Sequence, residues 1–305
     1  MEKKVDMSVN IAGLRMKNPV VAASGTFGFG REYSAFFDIS KLGGIAVKGL
    51  TLKPRKGNPP PRIAETPVGI LNSVGLQNPG VHAFIRDEIP FLRRYDTAII
   101  ANACGNTVEE YEEMAEILSD ADVDAIELNL SCPNVKEGCM AFGSTASGMT
   151  QVVSRVRKHC RKPLIVKLTP NVTDICEIAC AAEAAGADAV SLINTVLGMA
   201  IDVKTRRPVL GNVMGGLSGP AVKPIALRMV YQVSKSVKIP VIGMGGISNG
   251  TDVVEFLLAG ASAVMIGTAG LVNPYAWVEA IDGLELYMEE NGFRSVSELT
   301  GALIV

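Results

Sequence analysis

Eight short apolar segments constrain the fold of this chain more than any other feature of its sequence. Helix-like stretches separate nearly all of them, and each segment is a continuous apolar run rather than an alternating one. Continuous runs are typical of parallel strands that are buried on both faces. The predicted strands cover residues 20–25, 44–49, 98–102, 125–131, 163–169, 189–195, 240–246 and 263–268.

Eight strand–helix units in about 250 residues are typical of a closed (β/α)8 TIM barrel, which is the α/β fold that we predict. We expect one barrel domain over residues 1–305, with a short N-terminal hairpin between Met7 and Val20. The Pro/Gly/Asn-rich segment 51–79 and the glycine-rich segment 198–219 are predicted to be loops inserted at the C-terminal face of the strands. A doubly wound open sheet is the alternative, but no Gly-x-Gly-x-x-Gly follows the first strand.

Composition narrows the classes of function. The chain is 48 % hydrophobic with a formal net charge of −2. It therefore lacks the surplus of basic residues that would indicate nucleic acid or an anionic membrane surface as a partner. No apolar run is long enough to span a membrane, and no signal segment follows the N-terminal charges, so we expect a cytoplasmic protein. The six cysteines include no Cys-x-x-Cys, and their spacing fits neither zinc nor an iron–sulfur cluster, so no metal is expected in this chain.

In a (β/α)8 barrel the active site lies at the carboxyl ends of the strands. Here those ends carry small polar residues, lysines and glycines in place of the apolar residues of the strand interiors. They are Ser24, Lys48, Asn102, Asn129 with Cys132, Lys167, Asn194 with Thr195, Gly245 with Gly246, and Gly267 with Thr268. We predict that they surround one ligand.

The last two strands both end in glycine. A pair such as Gly245 and Gly246 lets backbone amides approach an anion closely, because no side chain stands in the way. Amides there and at the following helix N-termini can cradle a phosphate, and barrels often bind phosphate after strands seven and eight. The plainer alternative is that these glycines only form tight turns.

Lys48 and Lys167 lie inside predicted strands that are otherwise apolar. A lysine is costly to bury unless a negative group pairs with it. Such a lysine can form a Schiff base, as in an aldolase, or stabilise negative charge on a reduced flavin ring. A lysine whose ammonium extends past the strand end into solvent is the simpler alternative.

The stretch from Glu127 to Asn134 (ELNLSCPN) ends a buried strand in a cluster of amides, a hydroxyl and a thiol. A lone cysteine is more often a small core residue, but Cys132 stands among amides directly before a proline. A thiol can act as a base where its thiolate is favoured, and histidine, the usual general base, occurs only twice in this chain. Cys139 is a rival, and spacing alone prefers Cys132 only modestly.

Several of these segments together resemble the dihydroorotate dehydrogenases of pyrimidine synthesis. The resemblance runs from about Met7 to the C-terminal helix. It is carried by Asn129–Asn134 (NLSCPN), Ile193–Thr195 (INT), Gly215–Pro220 (GGLSGP), Gly243–Ile247 (GMGGI) and Ile266–Thr268 (IGT). The chain is similar to class 1 of the family, because class 2 members carry serine where this chain has Cys132 and have a membrane-associating extension that we expect to be absent here.

Two further stretches are most similar to class 1B, the NAD-linked form. They are Asn134–Gly138 (NVKEG) and residues 216–226. This similarity implies a separate partner subunit that carries FAD and a [2Fe–2S] cluster, and a homodimer core within a heterotetramer. The family loop usually has a second glycine where Cys139 stands.

The resemblance also implies one FMN in the barrel mouth, next to dihydroorotate or orotate. The residues implied to bind FMN are Ser24, Lys48, Gly49, Asn102, Asn129, Lys167, Ile193, Gly219, Gly245, Gly246, Gly267 and Thr268. Those implied to bind the substrate are Lys48, Asn72, Ser73, Val74, Gly75, Leu76, Asn129, Asn194 and Thr195. Cys132 is implied to be the catalytic base, which removes the proton at C5 while hydride passes from C6 to flavin N5.

Other functions stay open at this stage. They are a Schiff-base aldolase on Lys167, a non-catalytic phosphate-ligand-binding barrel, and a flavin-dependent tRNA reductase, which would need a basic face. Within the resembled family, fumarate, the acceptor of class 1A, is the alternative to NAD.

Overall fold

The computed structural model describes residues 5–130 and 142–305. Its strands, numbered in chain order, are β1 (Val9–Ile11), β2 (Leu14–Met16), β3 (Val20–Ala22), β4 (Gly44–Ala46), β5 (Ile63–Thr66), β6 (Gly69–Asn72), β7 (Ala98–Ala103), β8 (Ala125–Asn129), β9 (Leu164–Lys167), β10 (Ala189–Leu192), β11 (Val196–Met199), β12 (Ile201–Asp202), β13 (Arg207–Pro208), β14 (Met214–Ser218), β15 (Val241–Met244) and β16 (Ala263–Ile266).

Helices follow most of the barrel strands, as predicted. They are α1 (Val81–Ala83) and α2 (Ile89–Leu92), joined by a π-helical turn (Phe84–Glu88), then α3 (Val108–Asp120), α4 (Ala146–His159), α5 (Ile175–Ala184), α6 (Lys223–Ser236), α7 (Gly250–Leu258), α8 (Thr268–Val272) and α9 (Ala276–Asn291). Short 3-10 turns cover Tyr33–Ala35, Ile39–Lys41, Pro220–Val222 and Val296–Glu298. The sequence had not indicated α8, which lies between the last strand and the final helix.

The predicted (β/α)8 barrel is confirmed. Strands β3, β4, β7, β8, β9, β10, β15 and β16 are parallel neighbours in that order, and β16 pairs with β3 to close the barrel. Side chains alternate along each strand: Ala125 of β8 packs inside the barrel, whereas Ile126 and Leu128 pack in the layer that includes the helices. The alternation places Glu127 and Asn129 on the interior side together with Ala125.

The predicted N-terminal hairpin is also present, as the antiparallel pair β1–β2. Its apolar side chains Ile11, Leu14 and Met16 belong to the same cluster as the inward-facing residues of the barrel strands. The hairpin therefore buries the apolar floor of the barrel, and this leaves the opposite end, where the strands finish, for a ligand.

Several helices begin at residues whose side chains accept hydrogen bonds from the first turn. The Thr107 hydroxyl accepts from the backbone N–H of Glu110 at the start of α3, and Asp174 and Asn249 cap α5 and α7 in the same manner. At the other end of α9 the chain leaves the helix at Gly292, which has φ of 73°. These are the residue types that satisfy unpaired backbone groups at helix ends.

The two segments predicted to be loops contain strands instead. Strands β5 and β6 from the first segment, β14 from the second, and β11, which begins two residues before the second, form an antiparallel sheet in the order β11–β14–β6–β5. The strands are short and β14 begins Met-Gly-Gly, so no local pattern marks them. Their pairing joins residues far apart in the chain, such as Asn72 with Gly216, which is why sequence periodicity missed this sheet.

Trp277 is the largest fully buried side chain. Its indole N–H donates to the carbonyl of Ile266 at the end of β16 (2.9 Å), and its ring meets Phe27 and Tyr33 edge-on. A Cβ on Gly270 would lie 1.8 Å from the indole ring. The tryptophan therefore packs the end of the last barrel strand against helices α8 and α9.

We expect Trp277→Ala to lower the free energy of unfolding by about 3–5 kcal/mol, because it leaves a large cavity between the last barrel strand and helices α8 and α9. Chemical denaturation followed by circular dichroism measures this loss. Leu286→Ala on the same helix is the control, since Leu286 is 55 % exposed, and we expect it to cost about 0.5 kcal/mol or less. Equal losses in the two variants would contradict the packing role of Trp277.

Candidate active site

One pocket lies where the barrel strands end, and the four-stranded sheet forms part of its wall. Ile63, Ile70, Leu217 and Ser218 of that sheet line it. The predicted ligand residues that line it are Ser24, Lys48, Gly49, Asn72, Val74, Gly75, Leu76, Asn102, Asn129, Lys167, Ile193, Asn194, Thr195, Gly219, Gly245, Gly246, Gly267 and Thr268. The structure thus brings together residues that are up to 244 positions apart in the sequence, from Ser24 to Thr268.

Two of the predicted site residues are not among them. Ser73 is buried outside the pocket wall: its hydroxyl accepts from the Asn58 amide (3.1 Å), and its backbone N–H donates to the carbonyl of Arg62. Cys132 lies outside the described residues, as does its rival Cys139. Asn129, three positions before Cys132, is in the wall, and its carbonyl accepts from the Tyr111 hydroxyl (2.9 Å).

The two glycines at the end of β15 cannot be replaced without collision. Gly245 and Gly246 have φ of 123° and 78°, a region that favours glycine. A Cβ on Gly246 would lie 2.8 Å from the backbone nitrogen of Lys223, the first residue of α6. The strand end is therefore pressed against a helix N-terminus, and two sets of backbone amides lie close together, as a phosphate cradle requires.

Gly219 continues this wall. It has φ of 97°, and a Cβ there would lie 2.8 Å from the Cα of Gly69 in β6. The Thr268 hydroxyl, at the start of α8, donates to the Ser218 hydroxyl (2.8 Å). The contact connects the end of the last barrel strand to the sheet, so the two sides of this pocket end are joined.

Lys223 does not line the pocket. Its ammonium contacts the carboxylates of Asp252 (2.6 Å) and Glu255 (2.7 Å) in α7. These hydrogen bonds, the one to Asp252 first, raise the pKa of Lys223 above its usual value. Lys223 thus ties α6 to α7 behind the glycine turn.

The polar end of the pocket is built around a buried network inside the barrel. The Lys167 ammonium donates to the Ser24 hydroxyl (3.2 Å) and lies 3.9 Å from a carboxylate oxygen of Glu127. Glu127 also accepts from the Ser191 hydroxyl (2.7 Å) and from the Asn102 amide. Lys167 is 4 % exposed and Glu127 is fully buried, so the predicted buried lysine has a carboxylate partner.

Two amides continue the network towards the ligand space. The side-chain carbonyl oxygen of Asn102 accepts a hydrogen bond from the side-chain NH2 group of Asn129 (3.1 Å). A Cβ on Gly49 would lie 3.0 Å from that same Asn102 oxygen, so position 49 leaves room for the amide pair. Lys48, the neighbouring residue, lines the pocket with its backbone N–H bonded to the carbonyl of Gly28 (2.9 Å).

The sheet places Asn72 over the pocket. Its amide donates to the Gly216 carbonyl across the β6–β14 pair (3.4 Å). A Cβ on Gly216 would lie 1.9 Å from the Thr195 hydroxyl oxygen, and a Cβ on Gly215 would lie 2.5 Å from the Asn72 carbonyl. Glycines at both positions let the sheet approach the ends of the barrel strands.

Asn171 holds the loop that carries Asn194 and Thr195. Its amide donates to the Thr195 carbonyl (3.0 Å), and its carbonyl oxygen accepts from the Leu197 N–H (2.9 Å). The Leu192–Ile193 peptide bond just before this loop is cis. The clamp connects the end of β9 to the loop after β10.

Sequence reasoning missed Glu127 and Asn171 as parts of the site. For Glu127 a signal was present: it is a charged residue in an apolar strand, two positions before Asn129 and hence on the same face. Asn171 carried no comparable signal, because its partners lie 24 and 26 positions away in the chain.

The residues fit a planar cofactor that carries a phosphate. One end of the pocket offers glycine backbone where side chains would collide, and the other offers two lysines and several amides, which can hydrogen-bond to ring carbonyls and ring N–H groups. Within the described residues no group of three or more His, Cys, Asp or Glu is placed to hold a metal ion. No helix in the described ranges has the length and apolarity needed to cross a membrane.

The chain is a closed (β/α)8 barrel with glycines after its last two barrel strands and polar residues around its mouth. Barrel proteins often bind phosphate-bearing ligands in this position. A family profile described as dihydroorotate dehydrogenase matches residues 6–288. The chain belongs to the dihydroorotate dehydrogenase family.

Full-length relatives share more than half of their residues with this chain. It is 59 % identical over 300 residues to "Dihydroorotate dehydrogenase B (NAD(+)), catalytic subunit" of Alkaliphilus metalliredigens (98 % of this chain and 99 % of the relative). Proteins of the same description from Thermoanaerobacter pseudethanolicus and Bacteroides fragilis are 57 % and 59 % identical, each over 301 residues. The Thermoanaerobacter match covers 99 % of this chain and 100 % of the relative, and the Bacteroides match covers 98 % of this chain and 99 % of the relative.

Proposed function

We propose that this chain oxidises dihydroorotate to orotate with FMN, as the catalytic subunit of a class 1B, NAD-linked dihydroorotate dehydrogenase of pyrimidine synthesis. One observation carries the proposal. The described residues that the motifs assign to FMN and dihydroorotate all line a single pocket, except Ser73. Near-complete alignment with proteins described as catalytic subunits supports the class.

The chain's own residues divide the work of holding the cofactor. Gly219, Gly245, Gly246 and Gly267 with Thr268 would receive the phosphate on backbone amides. Asn102, Asn129 and Lys167 would hold the ring system, with Lys167 placed to stabilise negative charge. When bound, FMN accepts the hydride, which no side chain can do.

The substrate would lie against the ring system at the polar end of the pocket. Lys48 supplies a cation for the carboxylate of dihydroorotate. Amides of Asn72, Asn129 and Asn194 can each donate to a carbonyl and accept from a ring N–H of the cyclic imide. Cys132 would take the proton from C5, the carbon adjacent to the one that loses hydride.

The reduced cofactor needs an electron acceptor. The relatives' description as catalytic subunits supports a partner subunit, and we propose that it carries FAD and a [2Fe–2S] cluster and joins two copies of this chain in a cytoplasmic heterotetramer. The Schiff-base alternative is disfavoured, because Lys167 is engaged by Glu127 and Ser24, whereas a Schiff base requires a neutral amine.

The purified chain is expected to be yellow with one FMN per chain, and anaerobic dihydroorotate is expected to bleach it. Absorbance near the flavin maximum, followed in a stopped-flow instrument, measures the reaction. A chain that stays colourless after reconstitution with FMN, or a yellow chain that dihydroorotate does not bleach, would contradict the proposed function.

The electron acceptor is tested separately. Re-oxidation of the reduced chain by fumarate and by NAD is compared with and without a co-purified iron–sulfur flavoprotein. We expect NAD to be reduced only when that partner is present. Rapid re-oxidation by fumarate without the partner would assign the chain to the fumarate-linked class 1A instead.

A further inference from the structure

Glu127 is a buried charged group that the proposed function leaves without a role. It stands in the middle of the inward-facing row of β8 between Ala125, on the barrel floor, and Asn129, in the pocket wall. It is fully buried and does not itself line the pocket. It therefore lies one layer of side chains below the ligand.

Stability alone does not explain a carboxylate at this place. Burying an ion pair costs several kcal/mol of desolvation for each ion, and hydrophobic replacements of similar volume are often neutral or stabilising, by about 1–4 kcal/mol. The neighbouring barrel interior is filled with apolar side chains such as Ile100 and Ile165. A carboxylate here calls for an explanation in terms of what lies above it.

The first effect of Glu127 is on the direction of two amides. A carboxylate can only accept hydrogen bonds, so Asn102 must turn its NH2 group towards Glu127, as observed. The oxygen of Asn102 then faces Asn129 and accepts from it. The negative charge of Glu127 thereby determines that Asn129 uses its side-chain NH2 group to contact Asn102. The side-chain oxygen of Asn129 is then directed away from that contact.

The second effect is on charge. The Lys167 ammonium lies in the pocket wall, 3.9 Å from Glu127. With little water between them, the carboxylate offsets much of the field that the ammonium would otherwise exert on a ligand above it. The Ser191 hydroxyl, which donates to the other carboxylate oxygen (2.7 Å), holds the carboxylate in this position.

We propose that Glu127 is a positioning residue that sets the electrostatic environment of the cofactor ring: it offsets the charge of Lys167 and orients the Asn102–Asn129 amide pair. This inference rests on the proposed binding of FMN. It predicts that Glu127 tunes the reduction potential of the bound cofactor without touching it.

Glu127→Gln is the principal test, because it keeps the shape of the side chain and removes its charge. Lys167 then acts on the ring without its counter-charge, and the negatively charged reduced cofactor is favoured. We expect the reduced form to gain about tenfold in binding relative to the oxidised form, which raises the midpoint potential by about 30 mV for a two-electron couple. A reductive titration against a reference dye measures the potential and needs no turnover.

Asp124→Asn is the matched control. Asp124 precedes the same strand, at the opposite end of the barrel, where it pairs with Arg93 (2.9 Å) and accepts from the backbone N–H of Ile99 (2.7 Å). This variant also turns a paired carboxylate into an amide, so we expect it to lower the melting temperature while the potential stays at the wild-type value. Equal potentials in Glu127→Gln and Asp124→Asn would overturn the inference.

A second comparison covers the case in which Glu127→Gln does not fold. Lys167→Met is compared with the double variant Lys167→Met/Glu127→Gln. The double variant removes both members of the Lys167–Glu127 pair, so it leaves no ammonium of Lys167 without its carboxylate partner. The double variant is expected to have the higher potential, and equal potentials would again overturn the inference. Failure of this inference can be distinguished from failure of the proposed function. If the proposed function were wrong, the wild-type chain would bind no FMN or would not be reduced by dihydroorotate.

Discussion

Replacing Cys132 with alanine is expected to leave FMN bound and to slow its reduction by dihydroorotate by about 10²- to 10⁴-fold, the usual contribution of a general base. The thiol would be lost while the glycine turns and the Asn102–Asn129 pair remain in place. Anaerobic stopped-flow reduction measures the rate, and the flavin-to-protein absorbance ratio shows that the cofactor is retained.

Cys139→Ala is the natural control, because it removes the other thiol of the same stretch of sequence. We expect its reduction rate to stay within about twofold of wild type, as it should for a side chain outside the proton transfer. If Cys139→Ala were the slow variant and Cys132→Ala the fast one, the two thiols would exchange roles. If both variants were fast, the base would have to be sought among the other residues that line the pocket, such as Lys48 and Lys167.

The second large effect is expected at the phosphate end. Gly246→Ala places a Cβ against the backbone of Lys223 and forces a residue that disfavours φ of 78° into that conformation. Strain of this kind costs about 1–3 kcal/mol, and relieving it moves the backbone amides that would face the phosphate. We expect FMN binding to weaken by about 10- to 100-fold, measured as the dissociation constant by fluorescence titration of the apoprotein.

Gly260→Ala controls for backbone strain. Gly260 also has a positive φ of 109°, and a Cβ there would lie 2.4 Å from the Ser234 hydroxyl, but the residue precedes β16 at the far end of the barrel from the pocket. It should destabilise the fold and leave FMN binding unchanged. A similar loss of FMN affinity in both variants would mean that Gly246 acts through stability and not through the cradle.

The barrel itself was predictable from local patterns. Continuous apolar runs such as 98–102 and 263–268 reflect burial on both faces, and a buried strand must be apolar wherever its neighbours come from. The strand ends were predictable for a related reason: polar residues such as Asn129 and Lys167 interrupt the apolar runs close to the point where each strand leaves the core. Together with the motifs, these positions were enough to name the family that the profile and the relatives then showed.

The sheet beside the pocket was not predictable in this way. Strands β6 and β14 have few β-branched residues, and their stability comes from hydrogen bonds between segments about 145 residues apart, a pairing that no local window contains. The glycines at 215 and 216 look like loop residues in the sequence. In the structure they are strand residues that pair with β11 and β6, and glycine is needed there because Thr195 and Asn72 approach their backbone closely.

The sequence by itself determined the eight strands, the order in which they alternate with helices, and the identity of the groups at their ends, because burial and residue chemistry act on each segment separately. Only the tertiary structure decided which groups pair: that the ammonium of Lys167 lies 3.9 Å from Glu127, that Asn102 turns its amide to that carboxylate, and that Ser73 faces away from the pocket. These are contacts between different segments of the chain, and their distances depend on how the segments pack together, which no single segment specifies.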